Sequence, residues 1–173
     1  MKGFERKIEV TSNCVIALVA LLIGVVLVKN HVLPSKAPAL ISAGMKMSIA
    51  GVDWAANGKT LVLALQKDCK FCSASAPFYR RLIQDAQEHG AVHLLAVLPS
   101  KDAESRDYLG GLGVSLSEVR QAELGAIHVQ GTPTLILVDS KGTVERVWIG
   151  QLPSQGEKEM IEAVFAGNAV SQR

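Results

Sequence analysis

The chain has 173 residues, 49% apolar and 20% charged, enough for one globular domain plus an appendage and too apolar for extended disorder. Its net charge of +2 is unevenly divided: residues 1–36 hold five Lys/Arg (Lys2, Arg6, Lys7, Lys29, Lys36) against Glu5 and Glu9, and the other 137 residues hold thirteen against fourteen Asp/Glu. A nearly neutral main portion carries no electrostatic footprint for nucleic acid, so the basic bias belongs to the N-terminal segment alone.

From Cys14 to Val28 the chain reads CVIALVALLIGVVLV, fifteen residues without a charge, and Val10 to Asn13 extend the uncharged run to nineteen. That is close to the roughly 20 residues that span a bilayer, so one N-terminal transmembrane helix is expected at about 10–28. A run apolar on every side argues against a helix of a soluble domain. Lys2, Arg6 and Lys7 precede the run and favour a cytoplasmic N-terminus, against the smaller pull of Lys29 and Lys36 behind it. Residues 1–36 therefore read as a single-pass anchor and tether in the cell membrane, and 37–173 as a domain on its periplasmic or extracytoplasmic side. A cleaved signal peptide is the competing reading: Ala37-Pro38-Ala39 resembles a small-residue cleavage site, although it lies about ten residues beyond the apolar run. Either reading exports the rest of the chain.

Residues 29–43, with two prolines and no periodicity, read as a tether. Met45 to Val52 is expected as a first strand, and Thr60 to Gln66 (TLVLALQ) as a buried central strand. Lys70 to His89 has helical spacing, with Phe71, Phe78 and Leu82 on one side, Cys72, Ala76, Tyr79 and Ile83 beside them, and Gly90 as the C-terminal cap. Ala91 to Leu98 is the next strand. Residues 100–125 read as mostly helical, broken at Gly110 to Gly113, with Ser115 and Glu118 at capping-box spacing for a short second helix. Thr134 to Val138 and Thr143 to Ile149 are strands joined by an Asp139 to Gly142 turn, and a last helix runs from about Gln155 to Ala166, closed by Gly167.

Three cysteines are present. Cys14 lies in the apolar run, where it reads as a small hydrophobe. Cys69 and Cys72 form a C-x-x-C pair at the junction of the TLVLALQ strand and the long helix. Two thiols do not make a four-sulfur zinc site, and no histidine pair at ligand spacing completes one, so neither a metal nor a cofactor is expected. A helix N-terminus favours thiolate over thiol, and the spacing lets the second thiol attack a mixed disulfide formed at the first. A static disulfide, or two inert core thiols, is the plain alternative.

The context extends beyond the pair. Pro77 stands five residues after Cys72, inside a helical stretch that would ordinarily reject proline. Gly131-Thr132-Pro133-Thr134 stands directly before an apolar strand, and Gly150 follows the last one. With these features residues 44–167 resemble the thioredoxin superfamily, in which the reactive pair opens a proline-kinked helix and a cis-proline loop faces it. The resemblance implies an α/β thioredoxin fold, a central mixed sheet flanked by helices. It also implies a cis bond at Pro133 and a substrate-binding edge at Thr132 and Pro133. The implied activity is thiol–disulfide exchange with exported protein thiols or disulfides, with Cys69 and Cys72 as catalytic residues and a membrane or periplasmic redox partner. Reduction is the expected direction. Disulfide oxidation or isomerisation, and a non-catalytic partner-binding module, are the rivals. Three departures stand out: Leu63 replaces the buried aspartate six residues before the first cysteine, Asp68 replaces the preceding tryptophan, and the inner dipeptide is Lys70-Phe71. His89, His93, His128, Trp54 and Trp148 read as structural.

Overall fold

The computed structural model of the protein describes residues 15–26, 39–90 and 92–165. The chain divides into two units, Met1–Pro38 and Ala39–Arg173. In the first, residues 15–26 form helix α1, whose Val15, Ile16, Leu18, Leu21 and Leu22 are all more than half exposed. The rest of the run expected to span 10–28 lies outside the described residues, as do Cys14, Ala91 and Gly167. Among the described residues no helix is long and apolar enough to cross a membrane.

The second unit is built on Thr60–Ala64 (β1), every residue of which is buried. Period-two alternation sends Leu61 and Leu63 to one face of the sheet and Val62 and Ala64 to the other, which explains an apolar run without polar interruption. His93–Leu98 (β2) pairs with β1 in parallel, and Thr134–Val138 (β4) pairs with it antiparallel. Glu118–Gln121 (β3) and Val144–Ile149 (β5) form the edges of a mixed five-stranded sheet of order β3-β2-β1-β4-β5. Two short helical pieces, Trp54–Asn57 (α2) and a 3₁₀ turn at Leu124–Ile127, complete the connections.

One sheet face is covered by Ala76–His89 (α4), Asp102–Gly111 (α5) and Ser154–Phe165 (α6), which contribute Tyr79, Leu82, Leu109, Met160 and Val164 to the core. Gly90 caps α4 with φ +62, and the Gly90 N–H bonds the carbonyl of Ala86. The other face is closed by Ile41, Met47, Ile49, Ile127 and Val129.

Three expectations need correction. Residues 45–52 are not a strand. Apart from one bridge, Lys46 to Thr143, they are irregular, turning at Gly44 (φ +88) and Gly51 (φ +76). Met47 and Ile49 are buried, and the backbone of residues 44–47 bonds Gly142 and Val144 without extending into a ladder. The short helix expected from Ser115 is instead edge strand β3. Pairing with Leu95 to Leu98 and burial of Val119 outweigh a capping signal that rests on two residues. The long helix 70–89 is two: Lys70–Ala74 (α3) and α4, divided at Ser75, with Pro77 in the first turn of α4. Proline supplies no N–H to continue the first helix, and the Ser75 N–H and hydroxyl both bond the Phe71 carbonyl, at 3.1 and 2.9 Å.

The remaining polar side chains mostly serve the frame. Glu118 accepts from Asn57 (3.3 Å), His93 (2.5 Å) and Arg120 (2.9 Å) where β2 and β3 begin. Trp54 packs on Gly142, whose φ of +73 and lack of a Cβ leave room for the indole, since a Cβ would stand 2.9 Å from it.

Candidate active site

Beyond β1 the chain continues to Leu65, whose N–H bonds the Val97 carbonyl at 2.9 Å, and then turns. Asp68 takes a left-handed φ of +63, an uncommon conformation for a residue with a Cβ but one that aspartate tolerates. That turn delivers Cys69 as the N-cap of α3 in extended conformation, with its sulfur in the place where a serine or aspartate oxygen would sit. The Cys72 N–H donates to Cys69 Sγ at 3.2 Å. Cys69 is partly exposed, and Cys72, one turn on, is 0% exposed; both are free thiols.

The loop before β4 meets the pair from the other side. The Thr132–Pro133 bond is cis. Thr132 Oγ1 donates to Cys69 Sγ at 3.3 Å, and the thiol donates back to the Thr132 carbonyl at 3.5 Å. The loop is pinned by Thr134 Oγ1 to the Gly131 carbonyl (2.7 Å) and by the Gly150 N–H to the Pro133 carbonyl (2.7 Å). Gly150 has φ +84 and open space where a Cβ would stand, so backbone conformation rather than crowding accounts for glycine there. The structure thus brings Cys69, Cys72, Thr132 and Pro133, far apart in sequence, into one site.

The two sulfurs are electrostatically unlike. Burial raises the Cys69 pKa, but hydrogen bonds from the Cys72 side, from the Thr132 hydroxyl and from the Cys72 and Phe71 amides outweigh it, and the net shift is downward. For Cys72 burial dominates, reinforced by the contact with Cys69, and the thiol is pushed up to about 11. The arrangement offers one accessible sulfur that ionises readily and one sheltered sulfur that holds its proton.

Leu63 stands buried in the same core as Cys72, so no carboxylate underlies the pair at that position. Among the described residues no group of three or more His, Cys, Asp or Glu could hold a metal. Three side chains that the sequence analysis did not assign to the site border it. Tyr108 of α5 shares a hydrogen bond with Ser73 at 3.3 Å and feels the charge of both cysteines and Asp68. Phe71, expected on one helix side with Phe78 and Leu82, is 56% exposed while those two are buried, the helix breaking between them at Ser75. Ile149, paired with Thr134, is 61% exposed. Only the Phe71 spacing was available from sequence; Tyr108 and Ile149 arrive from other elements.

In sequence the chain matches no protein-family model and no curated protein. Its fold is widely shared. A thiol:disulfide interchange protein from Bacteroides sp. aligns at a TM-score of 0.56 and 14% identity, covering 78% of this chain and 95% of that one. The thioredoxin domain of a thiol-disulfide oxidoreductase from Bacteroides vulgatus gives 0.54 and 14%, covering 72% and 99%. A thiol-disulfide isomerase from Corynebacterium glutamicum gives 0.53 and 15%, covering 75% and 97%. The second unit therefore has the thioredoxin-like α/β fold, a mixed five-stranded sheet flanked by helices.

Proposed function

We propose that this protein is a thiol–disulfide oxidoreductase that reduces disulfides of exported proteins, with Cys69 as the nucleophile and Cys72 as the resolving thiol. The observation that carries the reading is the asymmetry of the pair. Cys69 is reachable, with two donors on its sulfur, while Cys72 is fully buried and protonated at neutral pH. The three structural neighbours described above, each named as a thiol–disulfide oxidoreductase, interchange protein or isomerase, support the class.

The chemistry balances with two sulfurs alone. The Cys69 thiolate attacks one sulfur of a substrate disulfide, forming a mixed disulfide and releasing the other substrate sulfur as thiolate. Cys72 then attacks the Cys69 sulfur, forming the Cys69–Cys72 disulfide and releasing the second substrate thiol. Two electrons pass to the substrate, and an exported dithiol partner returns the pair to the reduced state. The substrate's extended chain lies along the Thr132-Pro133 edge, between the exposed side chains of Phe71 and Ile149. We assign reduction rather than oxidation on the resemblance to the thioredoxin superfamily, and the reduction potential tests it, because strong oxidants depend on an unusually stable thiolate. The apolar run around α1 is the membrane tether in this reading, and it holds the domain on the oxidising side.

Trapping tests it. A Cys72→Ser variant stalls at the mixed disulfide, so exported proteins should be recovered covalently bound to Cys69. Full exchange activity in Cys69→Ser would overturn the proposal. A reduction potential near −120 mV, a value typical of strong oxidants, would keep the chemistry and reverse the direction.

A further inference from the structure

Resolution asks more of α3 than the first attack does. The helix is five residues long, and Cys72 is its one buried residue. So short a helix is marginal by itself and takes its position from contacts with other elements. Its ties to the cis-proline loop run through Cys69, and they do not outlast the first step. The Cys69 thiol donates to the Thr132 carbonyl at 3.5 Å, and the thiolate accepts a charge-assisted bond from the Thr132 hydroxyl at 3.3 Å. Once Cys69 has bonded a substrate sulfur it carries neither that proton nor that charge. The thiol that acts next is then borne by a helix whose hold on the loop has just weakened.

Another tie does not pass through sulfur. Ser73, next in sequence to Cys72, shares a hydrogen bond with the hydroxyl of Tyr108, 35 positions away, at 3.3 Å. Tyr108 belongs to α5, and α5 is firmly seated. On the same helical face Leu109 is 1% exposed in the core, and the buried Ser105 bonds the Ser100 carbonyl through its hydroxyl at 3.1 Å. The Tyr108 ring packs against that core as well. Its phenol is a short strut from a fixed element to the turn of helix that carries the resolving thiol. A phenylalanine there would keep the packing and lose the strut.

We propose that Tyr108 is a positioning residue for resolution: through Ser73 it holds α3, and with it Cys72, in reach of Cys69 while the bonds at the Cys69 sulfur are exchanged. In that step Cys72 gives its proton to solvent and its sulfur bonds to the Cys69 sulfur. The bond between Cys69 and the substrate sulfur breaks, with release of the substrate thiolate. Tyr108 keeps its proton and contributes no atom to the exchange. The first attack is less demanding, because a free substrate adjusts its own approach to Cys69. The two cysteines have no such freedom and meet only as far as α3 lets them.

The inference rests on the exchange function proposed above, and the test separates the two. In the full chain carrying Cys14→Ser, one equivalent of 5,5′-dithiobis(2-nitrobenzoate) releases one aryl thiolate when Cys69 attacks. It releases a second, in a phase independent of reagent concentration, when Cys72 resolves. Tyr108→Phe and Ser73→Ala should each leave the first release unchanged and slow the second about fivefold, the order of one neutral hydrogen bond. The double variant should be no slower than either single one, because both remove the same bond. Ser73→Thr, which keeps a hydroxyl, should resolve at nearly the parent rate. A second phase at the parent rate in Tyr108→Phe would overturn the role of Tyr108. So would slowing that multiplies in the double variant, or a first release slowed as much as the second, which would mark a general loosening of the site. Absence of any second release in the unsubstituted pair would instead refute the exchange function.

Discussion

Thr132→Val is the sharpest test of how the site prepares its nucleophile. Valine keeps the β-branched shape beside Pro133 and removes only the hydroxyl, which donates to Cys69 Sγ at 3.3 Å. A hydrogen bond to a charged acceptor is worth about 1.5–3 kcal/mol, and partial exposure of Cys69 places this one at or below the lower end. One pKa unit corresponds to about 1.4 kcal/mol, so Thr132→Val should raise the Cys69 pKa by about one unit. The sign follows from the state the hydroxyl favours: it donates to the thiolate, so removing it favours the thiol. Below the pKa the thiolate fraction, and with it the rate of iodoacetamide alkylation, should fall about tenfold. Above both pKa values the rates should converge. Thr132→Ser, which keeps a hydroxyl, should titrate nearly as the parent does. Cys72 does not confuse the assay, because it is fully buried and holds its proton to about pH 11. Identical titrations for Thr132→Val and the parent would refute the argument that side-chain donors, and not the helix terminus alone, set Cys69 reactivity.

Other outcomes follow from the same geometry. The Cys72 thiol is raised from 9.0 to about 11, so its contribution to the stability of the reduced protein is full below pH 9 and lost as pH rises toward 11. Denaturation of the reduced protein should show this loss between pH 9 and 11, at up to about 1.4 kcal/mol per pH unit, and Cys72→Ser should not. Glu118→Ala removes the common acceptor of Asn57, His93 and Arg120 and should cost about 1–3 kcal/mol in urea unfolding. Because that network lies where β2 begins, beside the start of β1, and the cysteines lie beyond the end of β1, exchange rates should be unchanged. Replacing the exposed Phe71 and Ile149 together by serine should weaken reduction of a protein disulfide several-fold while leaving glutathione disulfide reduction nearly unaffected. Equal effects on both substrates would argue against an apolar docking edge.

What the sequence determined by itself was whatever rests on short-range physics. The TLVLALQ run could only be a strand buried on both faces, and the three-residue spacing of Cys69 and Cys72 puts one sulfur at a helix start and the other a turn inside it. Asp139 to Gly142 made a hairpin turn, and Gly90 ended a helix, because each supplies a backbone conformation that its neighbours need. The tertiary structure decided everything that depends on a partner from elsewhere in the chain. Residues 115–121 carried a capping pattern, yet became an edge strand because β2 offered an open row of hydrogen-bonding groups and the core had room for Val119. Residues 45–52 were expected as a strand, yet only one bridge formed, Lys46 to Thr143, while Met47 and Ile49 packed onto the sheet face. Cys69 acquires its thiolate donor from Thr132, 63 positions away. Spacing places a reactive group at a helix end, but its electrostatics are summed over neighbours that only the folded chain brings within a few ångströms.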